Sequence, residues 1–586
     1  MRNRLSWKNQ GRPKIPTIEV TISDLESLLH EKIDQARLEL LLEQVKGEVK
    51  EFFPEQDIAK VELNDTNRPD LWSPEGIARQ ICLKKSKTGP DYPFFDPKTK
   101  ADREVFVSKE MSGVRPYLAA CIARGMVITE PILEQLIQVQ EKLAESFGRK
   151  RKTVSIGLYR LPKITFPVRY DLVDPESTSF VPLGFNESMS LAEIIKNHPK
   201  GVAHADTLFG AAKYPILIDA KEEILSFPPI INSREVGEVK VGDTELFVEV
   251  TGTDLRMVML ALNIFACNLA DRGAAIEPVS IQYSDKTDYG KAIRMPYDFS
   301  SSIDLSLDTF EQVLGEKVKM EDAVSGLQAY GYTVQTKGKN LNVTAPPYRD
   351  DTMHPIDVIE DFAICRGYGS FEPEMPSTFT VGSLSRIETL SDFLREAMVG
   401  FGFQEIISNI LGSRQDFIER MRLSALDEER SETKIVEIEN PMNERFSLLR
   451  PSLLPSLLRV EGASSKAFYP HRIFEVGEIA RLTSPGPGRE NPKEATTTSI
   501  HLAALIAHPN ATFSELHAVL EALFLSFSGR CRLESICHPS FIEGRSGTIS
   551  AEKGKIGLIG ELDPDVLTRW QIGMPCVSFE IEIEKI

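Results

Sequence analysis

Four carboxylates have the residue types and the spacing to hold a cation. Asp357, Glu360 and Asp361 follow Pro355 at helical intervals of three and four, which sets all three on one helical face, and Asp351 lies on the loop just before. Like charges on one face repel. Either water and the positive helix end accommodate them, or a hard, oxygen-ligated cation does, Mg²⁺ rather than Ca²⁺ because few carboxylates plus water suit the smaller ion. A fifth carboxylate, Glu249, stands in the apolar stretch FVEVTG, with Thr251 two residues on and so on the same strand face. Buried without a partner such a group is costly, so Glu249 belongs either at an exposed strand edge or on a face that reaches a ligand.

The elements that must position these groups can be read around them. Leu341, Val343 and Ala345 alternate with polar residues as a half-buried strand does, and Pro346 and Pro347 then remove two backbone donors and end it. Pro355 opens the acidic helix. The same design occurs near the N-terminus, where Arg68, Asp70 and Pro74 match Arg349, Asp351 and Pro355 at identical spacings, and LLHEKI at Leu28–Ile33 echoes VLGEKV at Val313–Val318. This points to an internal duplication of a small helical module clipped by strands. Gly76 and Arg79 stand in the first copy where the second has Asp357 and Glu360, so a cation site belongs to the second copy alone. Helix, turn, helix and a strand pair also describe a winged nucleic-acid reader, but the acidic helix HPIDVIEDFAI would set carboxylates against phosphate.

Between the copies, mixed strands and helices run from Arg103 to about Asp285, with PILEQLIQVQEKLAESFG as an amphipathic helix and Asp254 as the natural cap of a long one. The last third begins after the proline-punctuated FEPEMPSTF. There Ile387, Leu390, Leu394 and Met398 form one helical stripe, and PHRIFEVGEIAR, GKIGLIGEL and CVSFEIEIEKI read as strands of one sheet.

A chain of 586 residues implies roughly three to five domains. No apolar run approaches the roughly 18 residues needed to span a bilayer, and the basic MRNRLSWKNQGRPK lacks the apolar core of a secretory signal. The seven scattered cysteines contain no C-x-x-C pair, which fits a reducing cytoplasm better than a disulfide framework or a zinc ribbon. A net charge of -18 argues against gripping nucleic acid mainly through a broad basic surface of its own.

Read together and in order, NRPDLWSPEGIAR, RKTVSIGLYRLPKI, LSFPPIIN, FVEVTGTD, the acidic stretch, NPMNERFSLLRPSLLPSLL and GLIGELDPDVL resemble the beta subunit of phenylalanyl-tRNA synthetase, of the archaeal and eukaryotic-like branch. The resemblance covers nearly the whole chain after Pro16. It implies a multidomain α+β protein: a disordered lead-in over 1–15, a winged-helix-like module over 16–100, an α/β editing domain that binds tRNA over 101–285, a second, Mg²⁺-binding winged-helix-like module over 286–372, and a degenerate class II synthetase-like antiparallel sheet with helices over 373–586. It further implies that Asp351, Asp357, Glu360 and Asp361 bind Mg²⁺, and that Leu217, Ser226, Glu249 and Thr251 line a pocket that clears tyrosine wrongly joined to tRNA(Phe). Such a site can reject phenylalanine because a pocket built to hydrogen-bond a hydroxyl discriminates strongly against the analogue lacking it. The chain departs from the family at YRLPKI, Tyr159–Ile164, where the family tends towards His-Asp-Leu-Asp.

A working class II site also needs an Arg-x-Glu strand pair and a Gly-rich segment ending in Glu-Arg to clamp ATP phosphates. HRIFE at His471–Glu475 and GLIGE at Gly557–Glu561 do not meet that need and read as core strands. Synthesis, with its ATP and phenylalanine, is therefore assigned by the resemblance to an alpha subunit, in an alpha2-beta2 assembly in the cytoplasm. The competing reading is a non-enzymatic nucleic-acid-binding scaffold.

Overall fold

The computed structural model describes residues 17–64, 67–86, 90–423, 435–464, 466–483, 495–527, 529–552 and 554–586. The lead-in expected over residues 1–15 lies outside the described residues. The chain is a mixed α/β protein with several sheets, in two compact units, Met1–Glu374 and Met375–Ile586.

The first unit contains one element order twice. Strand Thr17–Thr21, helices Ile22–Leu29 and Gln35–Leu42, strands Gly47–Phe53 and Ile58–Leu63 and helix Pro74–Ser86 are followed, much later, by strand Ser302–Ser306, helices Leu307–Leu314 and Met320–Ala329, strands Thr333–Lys337 and Asn340–Thr344 and helix Pro355–Arg366. In both, the last strand is the middle one of three. Each Arg-x-Asp motif therefore leaves the centre of a small sheet and turns at once into a helix that starts at proline. The alternation read in the second copy holds, with Leu341 and Val343 buried.

Between the copies lies a ten-stranded sheet. Strand Glu245–Gly252 is paired on both sides, to Tyr117–Arg124 and to Val154–Arg160, so Glu249 is not on an edge. Its register sets Glu249 opposite Gly157 and Phe247 opposite Tyr159. Helix Leu255–Asp271 packs against these strands through an almost wholly apolar sequence, and Asp254 caps it by accepting from Met257 N at 3.0 Å. On the other flank the path continues through Val168–Val173 and Tyr214–Ile218 to Ile224–Phe227. The sheet curls enough for its two flanks to touch, because Ser226 near one end bonds Tyr159 at the other.

The second unit is built on a seven-stranded sheet running Gln404–Glu405, His471–Thr483, Ala495–Ala507, Cys576–Glu582, Gly554–Leu562, Phe541–Ala551 and Arg532–Ser535, antiparallel after its first pair. Helix Arg386–Gly400 packs Leu394 and Met398 into one core with Ile387 and Leu390 at its margin, as their spacing predicts. Helix Leu454–Ala463 belongs to a second core that also uses alternate residues of the central strands.

Candidate functional site

Where the flanks of the ten-stranded sheet meet, they leave a cavity of ≈ 340 Å³ whose wall includes Gly157, Tyr159, Ser226 and Glu249. The size is ordinary for a small-molecule site. Period-two alternation on two neighbouring strands puts Gly157, Tyr159 and Glu249 on one face. Glycine is required at 157, since a Cβ there would run into both the Tyr159 hydroxyl and Glu249 Oε2.

Glu249 is 2% exposed. Its Oε2 lies 2.8 Å from the Tyr159 hydroxyl, which is also 2.7 Å from Ser226 Oγ. A phenol has a single proton, so it donates to the carboxylate and receives from the serine. Glu249 Oε1 is buried without a hydrogen-bond partner. Burial pushes the Glu249 carboxyl up to about 7, against the donated bond from Tyr159 that pulls it down. Burial also holds the Tyr159 phenol far above its ordinary range, so it stays a neutral donor. The site thus has one carboxylate oxygen occupied and one without a partner, both buried, where an added donor would be worth most.

Four residues were expected to line this pocket, and the structure divides them. Ser226 and Glu249 are on the wall. Leu217 is fully buried opposite Ser226 in the strand pairing, and Thr251 is fully buried with its hydroxyl 3.0 Å from Ser155 Oγ and 3.1 Å from Arg115 Nε. Both share the face of the wall residues beside them but lie outside the cavity lining. The sequence reading missed Tyr159 as a site residue although YRLPKI marked it as a departure. It also missed Arg115, a buried guanidinium that donates to Ser155 Oγ and to the carbonyls of Arg151, Lys152 and Thr251 and so ties the strands beneath the site.

The acidic stretch is arranged differently from expectation. Arg349 forks onto Asp351 at 3.0 and 2.6 Å and pairs with Asp361 at 2.7 Å. Asp361 also accepts from Tyr332 at 2.5 Å. Asp357 turns back on its own helix start, accepting from Met353 N and His354 N at 2.8 and 2.7 Å, and Glu360 meets Lys46 at 2.6 Å. Among the described residues no group of three or more metal-type side chains converges. The four carboxylates expected to share Mg²⁺ stand apart here: the Arg349 guanidinium supplies the buried countercharge of Asp351 and Asp361, while Asp357 and Glu360 are bonded elsewhere. Burial would raise the Asp351 carboxyl, but Arg349 outweighs it and holds the group below its ordinary range.

The duplicated motif explains why an arginine is there. Arg68 forks onto Asp70 at 2.9 and 2.8 Å in the same manner as Arg349 onto Asp351, and the two guanidinium groups each lie 5.8 Å from the Tyr330 ring. Arg79, which stands where the second copy has Glu360, pairs with Asp271 at 2.7 Å.

In the second unit two carboxylates of the central sheet are held by internal partners. Glu580 accepts from Ser452 Oγ, from the backbone N–H of Leu453 and Leu454 and from His501 at 2.5 to 3.2 Å, and Glu475 of HRIFE is paired with the buried Arg450 at 2.8 Å. Both HRIFE and GLIGE are sheet strands, as read.

Two family models match the chain, one described as "Phenylalanyl tRNA synthetase beta chain CLM domain" over residues 372–583 and one as "tRNA synthetase B5 domain" over residues 303–368. Among curated proteins, the phenylalanine–tRNA ligase beta subunit of Borrelia hermsii is 38% identical over 98% of this chain and 100% of its own length. That of Borreliella burgdorferi strain ZS7 is 38% identical over 93% of this chain and 95% of its own. Among solved structures, an N-terminal fragment of the phenylalanyl-tRNA synthetase beta-subunit from Pyrococcus horikoshii is 35% identical, with a TM-score of 0.57 over 60% of this chain and 100% of that one.

Proposed function

We infer, for a chain that belongs to the phenylalanine–tRNA ligase beta-subunit family, a division of labour in which an alpha partner joins phenylalanine to tRNA(Phe) with ATP while this subunit supplies framework and proofreading. The proofreading reaction is hydrolysis of tyrosine from misacylated tRNA(Phe). The observation that carries it is Glu249: a buried carboxylate on the wall of a ≈ 340 Å³ cavity with one oxygen lacking a partner. An acceptor left open in a dry pocket favours a side chain that brings a hydroxyl and disfavours the phenyl ring that cannot fill it. Tyrosine and phenylalanine differ in that group alone. In this reading a positioned water and the ribose hydroxyl of the terminal nucleotide supply the attack.

The family's fold terms follow the same line. We assign the repeated modules to winged-helix-like units, residues 101–285 to the editing domain and residues 373–586 to a class II-like sheet without synthetic chemistry, in an alpha2-beta2 assembly in the cytoplasm. The match to the Pyrococcus fragment over its full length supports the archaeal and eukaryotic-like branch, and the bacterial Borrelia relatives are read as carrying the same arrangement. No helix among the described residues is long and apolar enough to cross a membrane.

The test compares the assembled enzyme with its Glu249→Ala variant. The variant is expected to make Phe-tRNA normally and to accumulate Tyr-tRNA, with clearance slowed by about a hundredfold or more, as for loss of a hydroxyl-reading group. Clearance at the wild-type rate would overturn the assignment.

A further inference from the structure

The Tyr159 phenol stands between the two polar groups of the cavity wall, and its placement is fixed from every side. Its ring is fully buried and packs on Phe247 with centroids 5.8 Å apart. Its oxygen crosses the space that Gly157 leaves empty, reaching Glu249 Oε2 at 2.8 Å and Ser226 Oγ at 2.7 Å. The consequence falls on the carboxylate. With Oε2 held, the Glu249 side chain cannot rotate without breaking that bond, and Oε1 is the oxygen left without a partner.

We propose that Tyr159 is the positioning residue of this pocket: by donating to Glu249 Oε2 it fixes the carboxylate so that Oε1 alone reads a hydroxyl donor at the ring end of a bound aromatic amino acid. The proposal rests on the proofreading reading given above and adds to it how the acceptor is aimed. A carboxylate with both oxygens free would swivel, or would take a backbone or water donor on either side. One with a fixed resident donor presents a single lone-pair direction. Selectivity for a phenol then depends on a residue that does not itself touch the substrate.

The same bond affects protonation. The groups facing Glu249 are Tyr159 and Ser226 on the wall, Thr251 on its own strand, Arg115, and Tyr170 of strand Val168–Val173 across the curled sheet; Arg151 and Lys200, with Glu141 and Glu238, lie on the cavity wall. Burial opposes the ionised carboxylate, and the Tyr159 hydroxyl, the Thr251 hydroxyl and Arg115 favour it. Removing the hydroxyl takes away a donor and leaves the burial, so Glu249 ionises at higher pH in the variant.

The experiment measures enzyme-dependent hydrolysis of Tyr-tRNA(Phe) by the alpha–beta enzyme from pH 6 to 9, as wild type, Tyr159→Phe and Glu249→Ala, with the melting temperature of each. Tyr159→Phe keeps the ring and its packing on Phe247. It is expected to slow clearance by about tenfold or more, the worth of one hydrogen bond to a charged group, and to move the midpoint of the pH profile upward. Slower clearance with an unmoved profile overturns the proposal, because a residue that merely packs would lower the rate without changing ionisation. Faster clearance also overturns it and makes the phenol an occupant of the substrate's place. Clearance unchanged in Tyr159→Phe but lost in Glu249→Ala removes the role of Tyr159 and leaves the proofreading reading standing, whereas clearance unchanged in Glu249→Ala removes both.

Discussion

At the scale of single residues, Glu249 is destabilising as a charge and useful for that reason. Its carboxyl sits at about 7 in the folded chain against an ordinary 4.5, the shift coming from burial. A carboxyl raised by folding binds its proton more tightly in the native state, so its stabilising contribution is complete below about 4.5 and is lost as pH rises through about 7. Glu249→Gln cannot titrate and is expected to flatten that fall, which melting temperatures measured from pH 4.5 to 8 would record; parallel curves for the two proteins would show that Glu249 is not held as described. The buried glutamate itself was legible in FVEVTG, because a charge amid alternating apolar residues is conspicuous. Its partner was not. Nothing in YRLPKI shows that the phenol reaches across a glycine two residues earlier, because that contact depends on strand register and on the curl of the sheet. Leu217 and Thr251 illustrate the opposite error, since strand alternation assigns a face but not how far along that face the cavity extends.

At the scale of elements, the two Arg-x-Asp turns act as fasteners of the repeated modules. Arg349 is 4% exposed and carries two carboxylates, so removing it leaves Asp361 with only the Tyr332 hydroxyl and Asp351 with only the more distant Arg68 at 4.0 Å. Arg349→Met is expected to destabilise the first unit by about 3–5 kcal/mol, the usual result of breaking a buried pair from one side. Thermal unfolding of the chain alone would check this. In the same measurement a chelator tests the four-carboxylate reading, since an ion bound only to the folded form raises the melting temperature by linkage: a clear fall on chelation is expected if the carboxylates hold Mg²⁺, and an unchanged value would count against it. The duplication was readable from equal spacings, and the helix from Pro355. The pairing was not, because helical periodicity puts Asp357, Glu360 and Asp361 on one side but cannot show that Arg349, twelve residues before Asp361, lies beneath them.

At the scale of the whole molecule, the first unit presents a buried carboxylate with an unpartnered oxygen on a cavity wall, whereas the sheet carboxylates Glu580 and Glu475 of the second are held by internal bonds. Glu580 is fully buried, and although burial alone would raise its carboxyl, His501 and Ser452 hold it down to about 2, so it is spent on internal bonds across the working pH range. Glu475 and Arg450 cancel likewise. This is why the second unit is read as framework, and its strand pattern was legible because long antiparallel strands alternate cleanly over two cores. The reading that it carries no synthetic chemistry came from the lack of phosphate-clamping motifs, and the structure adds which partners hold Glu580 and Glu475. The most direct test is phenylalanine-dependent exchange of pyrophosphate into ATP, measured on this chain alone and after assembly with its alpha partner. The account expects no exchange from the chain alone and full exchange from the assembly; exchange by the isolated chain would contradict it.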